Sequence, residues 1–104
     1  MLDPFDVIGD NSFIASEKYK ARELRKTQWW KRKCAKGVCT YCGKKVPSKQ
    51  LTMDHIVPIS RGGRTTRGNV TPCCKTCNTQ KKTMLTFEWD EYIQNNKTKE
   101  NNSK

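Results

Sequence analysis

Apolar positions in the first third of the chain recur at helical spacing. Ala21 and Leu24 share one side of a helix, and basic residues fill the other sides. Ser16 has the side chain of an N-cap and is followed at once by a glutamate, which is typical of a first helical turn. The pattern predicts a helix over residues 16–34. Residues 1–15, broken by a proline and a glycine, read as a lead-in segment.

The spacing changes to a period of two in the middle of the chain. Residues 53–60, MDHIVPIS, alternate and include β-branched side chains, which predicts a strand that Pro58 restricts to an edge or a bend. The glycine-rich turn at 61–64 and the returning segment 65–70 then predict an open hairpin or a long loop. A helix over residues 74–82 follows, and its residues Lys75, Lys81 and Lys82 are expected to be exposed.

The C-terminal part combines one more helical pattern with a polar end. Thr86 can cap a helix over residues 86–94, with acidic side chains suited to its N-terminal dipole. Residues 96–104, which are polar, are expected to be disordered. With 104 residues and a hydrophobic fraction of 34%, the chain predicts a single domain over 16–95 whose small core needs a disulfide or a metal.

Charge narrows the class of partner. The 21 lysines and arginines exceed the 10 acids by 21 − 10 = 11. Such an excess favours nucleic acid, although a basic balance can also merely keep a protein soluble. The basic helix at 16–34 is compatible both with a phosphate backbone and with a solvated surface whose tryptophans are buried. No apolar run reaches membrane-span length and the N-terminus does not resemble a signal peptide, so we expect a cytoplasmic protein without a membrane partner.

Six cysteines indicate a metal site. Cys39 and Cys42 form one C-x-x-C pair, Cys74 and Cys77 another, and tetrahedral structural zinc takes four such thiolates. Cys73 could compete for a place in the second pair, and His55 could replace one thiolate, while Cys34 also remains. A disulfide network or free buried thiols are the alternatives, but a reducing compartment favours zinc.

One acidic residue stands next to the only histidine. Asp54 is the only acid between Glu23 and Glu88, and His55 follows it directly. In so basic a span, this pair suggests a metal ligand and a proton-accepting base near an incoming phosphate. Singly, each residue is more simply a turn or surface group, so the pair needs its context.

That context resembles the HNH endonuclease family, in its subgroup with two C-x-x-C knuckles around a ββα-metal site. The matching pieces are CTYCG at 39–43, MDHIVPISRGG at 53–63, Asn69-Val70, and CCKTCNTQKK at 73–82. The resemblance covers residues 39–82. It implies an α+β fold with a small ββα-metal core and a four-cysteine structural zinc, preceded by the basic N-terminal helix.

The resemblance also implies roles for single residues. His55 matches the general base that takes a proton from water, and Asn69 matches the residue that orients it. Asp54 and Asn78 match the ligands of a catalytic divalent cation. Because asparagine stands where many members have histidine, the two oxygen ligands favour Mg²⁺ or Mn²⁺.

The implied activity is metal-dependent hydrolysis of DNA, expected to be double-stranded, by one active site or by a homodimer that cuts both strands. Products with a 5′ phosphate and a 3′ hydroxyl follow from the same analogy. The alternatives are a non-enzymatic zinc-ribbon module that binds nucleic acid and a protein–protein adaptor. Basic side chains around the motif are expected to hold phosphates: Arg61, Arg64, Arg67, Lys75, Lys81 and Lys82.

Overall fold

The computed structural model describes residues 11–102, with the backbone alone for residues 97–102. These residues form four α-helices and one two-stranded sheet, which confirms the α+β class. Two short 3₁₀ turns, Ser48–Gln50 and Ile59–Arg61, lie in the connections. The elements in chain order are α1 (Asn11–Arg25), α2 (Gln28–Ala35), β1 (Thr52–His55), β2 (Val70–Cys73), α3 (Lys75–Lys81) and α4 (Thr86–Asn102).

The basic N-terminal region is two helices rather than the one predicted over 16–34. Thr27 interrupts it with an extended backbone (φ −77°, ψ 153°). Its hydroxyl donates to the Leu24 carbonyl at 2.7 Å and accepts from the Trp30 amide at 3.3 Å. One threonine thus ends α1 and caps α2, which a continuous helix would not allow. The predicted lead-in lies outside the described residues up to residue 10, and its last five residues belong to α1.

Of the two structures predicted for this region, an open hairpin or a long loop, the chain forms the hairpin, with a shorter first strand than predicted. β1 pairs antiparallel with β2, with Thr52 opposite Cys73 and His55 opposite Val70. The strand predicted over 53–60 stops at His55, and a 3₁₀ turn begins after Pro58. Proline lacks the N–H that a continuing ladder needs, so the chain bends away there.

One hydrophobic core joins the hairpin to the helices. Val70 and Cys73 on β2 are almost fully buried, and Trp30 reaches the same cluster from α2. Trp89 attaches α4: its ring stacks on Tyr92 and meets Tyr41 edge to face, with centroids 5.5 and 5.6 Å away. The core therefore lies directly beneath the strand that carries Asp54 and His55.

The C-terminal helix is longer than predicted. The expected helix over 86–94 extends to Asn102, so the backbone of residues 96–102, which were expected to be disordered, has helical conformation. No glycine or proline interrupts the sequence after Leu85, so nothing in the backbone stops the helix. The last two residues of the predicted tail lie outside the described residues.

Candidate functional site

The four cysteines predicted as zinc ligands come together. Their Sγ atoms all lie within 4.8 Å of one another, although they come from two segments more than thirty residues apart in sequence. Cys39 and Cys42 belong to a turn closed by Gly43 at φ 71°, a conformation that glycine adopts without strain. Cys74 is the N-cap of α3, and Cys77 lies in its first turn.

The local field around these sulfurs favours a bound cation. Burial raises the pKa of the Cys39 thiol, but hydrogen bonds from the backbone amides of Cys42, Cys74 and Tyr41 act more strongly in the opposite direction. The resulting pKa is about 7. Burial and neighbouring sulfurs instead raise the pKa of Cys77. Four thiolates this close repel one another unless a positive ion compensates their charge, so the cluster is compatible with structural zinc.

The two remaining cysteines are packing residues. Cys34 and Cys73 are buried in the hydrophobic core, outside the four-sulfur cluster. The Cys73 thiol lies 3.5 Å from the Thr52 hydroxyl, and burial raises its pKa to about 12. Both therefore remain neutral thiols at ordinary pH. The competition between Cys73 and Cys74 is decided for Cys74.

The His55 ring is fixed through one nitrogen. Its Nε2 lies 2.9 Å from the Thr65 hydroxyl oxygen, and that hydroxyl donates to the Glu17 carbonyl oxygen at 2.9 Å. A hydroxyl has a single hydrogen, so the Thr65 oxygen accepts from Nε2, which therefore carries the proton. The neutral ring then has an unprotonated Nδ1, to which no described residue hydrogen-bonds.

The electrostatic surroundings keep His55 neutral. Burial lowers its pKa, and the charges of Arg25 and Lys81 lower it as well. Asp54 and Glu17 act in the opposite direction but do not outweigh the burial. The net pKa falls below the ordinary histidine value of 6.5, so the ring is an unprotonated base near neutral pH.

Asn69 ties together the loop that follows His55. Its side-chain oxygen accepts from the Val57 amide at 2.9 Å. Its side-chain nitrogen donates to the Val57 carbonyl at 3.1 Å and the Arg64 carbonyl at 2.8 Å. The side-chain amide of Asn69 thus connects Val57, near the start of the loop, to Arg64. Arg64 directly precedes Thr65, the residue that binds His55.

The Asp54 carboxylate is buried and paired with a lysine. Its Oδ2 accepts from the Tyr41 hydroxyl at 2.5 Å and lies 3.1 Å from Lys81 Nζ. Lys81 was expected at the surface, yet it is fully buried and also donates to the His55 and Ile56 carbonyls at 3.3 Å. The exposure prediction for Lys81 is wrong because α3 turns this side chain towards β1.

Asn78 shares that face of α3. It lies three residues before Lys81, and its side-chain nitrogen donates to the Thr52 hydroxyl at 3.0 Å. Thr52 and Asp54 are two residues apart on β1 and therefore share one face of the strand. Because Asn78 binds Thr52, the predicted metal ligands Asp54 and Asn78 both lie on the α3 side of β1. No hydrogen bond or ion pair among the described residues joins Asp54 to the His55 ring.

Carboxylate and amide oxygens suit a hard divalent cation. Tyr41 and Lys81 both contact Oδ2 of Asp54, and Asn78 contacts Thr52 through its nitrogen. Oδ1 of each residue is thus without a hydrogen bond within the described region. The donor chemistry fits Mg²⁺ or Mn²⁺, but a cation bound there would have to share the Asp54 carboxylate with Lys81.

The basic residues predicted around the site differ in their surroundings. Arg61 forms an ion pair with Glu88 and donates to the Thr83 carbonyl at 3.3 Å. Arg67 lies 5.2 Å from the Trp29 ring centroid, with Lys33 at 5.0 Å from the same ring. These contacts hold cations of the hairpin loop and of α2 close together. The other exposed members of the set are Arg64, Lys75 and Lys82.

Tyr41, Thr65 and Glu17 also belong to this site, although nothing in the sequence singles them out. Tyr41 sits inside the first cysteine turn, where only its neighbours drew attention. Thr65 follows the glycine-rich turn and looks like an ordinary loop residue, and Glu17 looks like a helix-start acid. These residues are recognised only from their tertiary contacts. Glu17 and Thr65, for example, are hydrogen-bonded although they are 48 positions apart in sequence.

The fold and these contacts define a class: a small α+β protein with a ββα unit, a four-cysteine metal-binding cluster and a histidine fixed at the end of a strand. Residues 39–96, more than half of the chain, match the model of a family described as HNH endonuclease. The chain belongs to the HNH endonuclease family. Membership indicates nuclease activity and a nucleic-acid substrate. Among curated proteins, none matches the chain.

A membrane-crossing helix is not found in the described part of the chain, since no helix there combines enough length with enough apolar character.

Proposed function

We propose that this protein is a metal-dependent DNA endonuclease in which His55 is the general base. The observation that carries the proposal is the state of the His55 ring, which is bound through protonated Nε2 and has Nδ1 without a hydrogen bond from any described residue. A general base needs a free lone pair, a fixed orientation and a pKa near or below the working pH. Family membership of residues 39–96 supplies the reaction class.

The chain's residues divide the work as follows. His55 takes a proton at Nδ1 from the water that attacks phosphorus, and Thr65 keeps the ring in place through Nε2. Asn69 holds the loop after the strand through its bonds to Val57 and Arg64. Asn69 therefore acts on the orientation of the base and does not itself take part in proton transfer.

Two metals complete the proposal. Zinc on Cys39, Cys42, Cys74 and Cys77 holds the turn before the hairpin against α3. Asp54 and Asn78 would hold Mg²⁺ or Mn²⁺ through carboxylate and amide oxygens. When bound, that cation would stabilise the negative charge on the phosphate and on the leaving oxygen.

The substrate is proposed to be double-stranded DNA, which the net charge of +11 attracts. The residues proposed to contact phosphates are Arg64, Arg67, Lys75 and Lys82. Arg61 and Lys81 are already paired with acidic residues, Arg61 with Glu88 and Lys81 with Asp54. A homodimer would be needed to cut both strands at once. None of the six cysteines, all of which lie within the described residues, forms a disulfide, which supports the reducing cytoplasm as the working compartment.

The test is conversion of supercoiled plasmid by the zinc-loaded protein, with Mg²⁺ or Mn²⁺ added or withheld. His55→Ala is expected to reduce metal-dependent nicking by at least about 100-fold, because general-base catalysis contributes about that much or more. Zinc content and a DNA mobility shift serve as controls, and both are expected to stay at the wild-type level.

Cleavage that survives in His55→Ala would reject the assigned base. If neither protein cuts DNA while both shift its mobility, the result would favour a non-enzymatic zinc-ribbon protein whose basic surface only binds nucleic acid. That alternative gives no role to the unprotonated Nδ1 of His55 or to Oδ1 of Asp54, neither of which has a hydrogen bond within the described region.

A further inference from the structure

Helix α1 lies outside the family match at residues 39–96, yet it contacts the partner of His55 directly. Glu17 is 2% exposed and is the most buried acidic residue among the described side chains. A buried carboxylate is unfavourable unless hydrogen bonds and charges compensate it, so its neighbours explain why it is tolerated. Those neighbours lie on the loop between β1 and β2.

Glu17 binds Thr65 at two points. Its carboxylate Oε1 accepts from the Thr65 amide at 2.6 Å, and its backbone carbonyl accepts from the Thr65 hydroxyl at 2.9 Å. Lys20 neutralises the other carboxylate oxygen, Oε2, at 2.9 Å. The two bonds from Thr65 to Glu17 fix the backbone of Thr65 and the rotamer of its hydroxyl group. The hydroxyl oxygen is the atom that binds His55.

The same loop is attached to α1 at a second place. The Arg64 guanidinium lies 5.9 Å from the centroid of the Phe13 ring, and Asn69 donates to the Arg64 carbonyl. The residue before Thr65 is therefore held from the α1 side and from the hairpin side. This leaves the Thr65 hydroxyl little freedom to rotate away from His55.

We propose that α1 is part of the catalytic machinery, with Glu17 and Thr65 as positioning residues that hold His55 in the Nε2-protonated form with Nδ1 directed to the reacting water. This inference rests on the proposed nuclease function, but the ring state it describes exists without any substrate. Neither residue contacts DNA in this scheme. Their loss therefore lowers kcat and leaves KM unchanged.

The primary test compares Thr65→Val with Thr65→Ser in the full zinc-loaded chain. Valine has nearly the shape of threonine but no hydroxyl, whereas serine keeps the hydroxyl and both bonds to Glu17. Thr66→Val is the matched control, because the same change falls one residue later on an exposed side chain. Thr65→Val is expected to lower kcat about 10–100-fold with unchanged KM, while Thr65→Ser and Thr66→Val stay near wild type.

A second readout does not depend on cleavage. His55 is the only histidine, so the imidazole signals in a long-range ¹H–¹⁵N spectrum all come from it. At about pH 8, where the ring is neutral, the wild type is expected to show a protonated Nε2 and an unprotonated Nδ1. Thr65→Val is expected to show a mixture of the two tautomers. Glu17→Gln, which retains one uncharged side-chain oxygen as an acceptor for the Thr65 amide, is expected to show a smaller shift in the same direction.

The two proposals fail separately. A wild-type spectrum with protonated Nδ1, or an unchanged spectrum and kcat in Thr65→Val, would overturn the positioning role even if the wild type cuts DNA. A tautomer change in Thr65→Val with no cleavage by any variant would support the positioning role and reject the nuclease. If Thr65→Val does not fold, the spectra and kcat of Glu17→Gln and Thr65→Ser replace it as the test. The positioning role is supported if Glu17→Gln differs from the wild type and Thr65→Ser does not. It is rejected if neither variant differs from the wild type.

Discussion

Lys81 shows how one residue can serve two parts of the site. Its ammonium is fully buried, neutralises Asp54 and donates to the carbonyl groups of His55 and Ile56. A buried lysine is tolerated only with such partners, and removing one partner leaves the other charge uncompensated. Lys81 thereby fixes the carboxylate and the end of β1 in one arrangement.

Lys81→Met is expected to lower the free energy of unfolding by about 3–5 kcal/mol, because Asp54 is left as a buried, unpaired carboxylate. Lys82→Met is the control: the same change next to it on an exposed side chain is expected to stay within about 0.5 kcal/mol. Urea unfolding of the zinc-loaded variants measures both. Equal effects of the two changes would contradict the importance of the Asp54–Lys81 pair.

At the scale of elements, the connection between β1 and β2 depends on a close backbone approach. A Cβ placed on Gly63 would lie 1.7 Å from the Val57 carbonyl oxygen, far inside van der Waals contact. That same carbonyl accepts from Asn69, so a shift of it disturbs the bond that orders the loop. Gly62 precedes it with φ 90°, a conformation that favours glycine.

Gly63→Ala is therefore expected to lower the free energy of unfolding by more than about 2 kcal/mol and to reduce plasmid nicking further than stability alone explains. Gly68→Ala in the same connection is the matched control, since a Cβ there meets nothing within 4 Å. Thermal unfolding and nicking rates are measured for both. A neutral Gly63→Ala would mean that the loop adjusts without loss of the Asn69 bonds.

At the scale of the whole molecule, the four-cysteine cluster joins the turn before the hairpin to the helix after it. The remaining core is small, and a chain of this size and polarity gains much of its stability from such a cross-link. Zinc binding to this cluster, as proposed, would be coupled to folding, because the four sulfurs are brought together only in the folded chain.

Cys77→Ser is expected to bind less than one zinc per chain and to unfold at a lower temperature. Cys34→Ala, a buried cysteine outside the cluster, is expected to keep its zinc and to lose only some packing. Zinc analysis beside thermal unfolding, with and without a chelator, measures both properties. Full zinc content in Cys77→Ser would remove this residue from the ligand set.

Several features could be predicted because they depend on neighbours in the sequence. The cysteine pairs fix the knuckles by their spacing, and the helix predicted over 74–82 matches Lys75–Lys81 with Cys74 as its cap. The break at Thr27 was also local, but the helical pattern on either side hid it. The roles of Asp54, His55, Asn69 and Asn78 stay predictions, although Asn69 has the contacts that an orienting residue needs.

The sequence by itself determined the cysteine cluster, through the spacing of its ligands, and it determined the ββα frame and the family through the resemblance of its motifs to HNH endonucleases. Only the tertiary structure decided that Lys81 is buried against Asp54 and that Glu17 reaches Thr65 and, through it, His55. Helical spacing names the residues that share a face, but it does not say which of several charged faces turns inward. That depends on which opposite charge or polar backbone group another element brings within hydrogen-bonding distance.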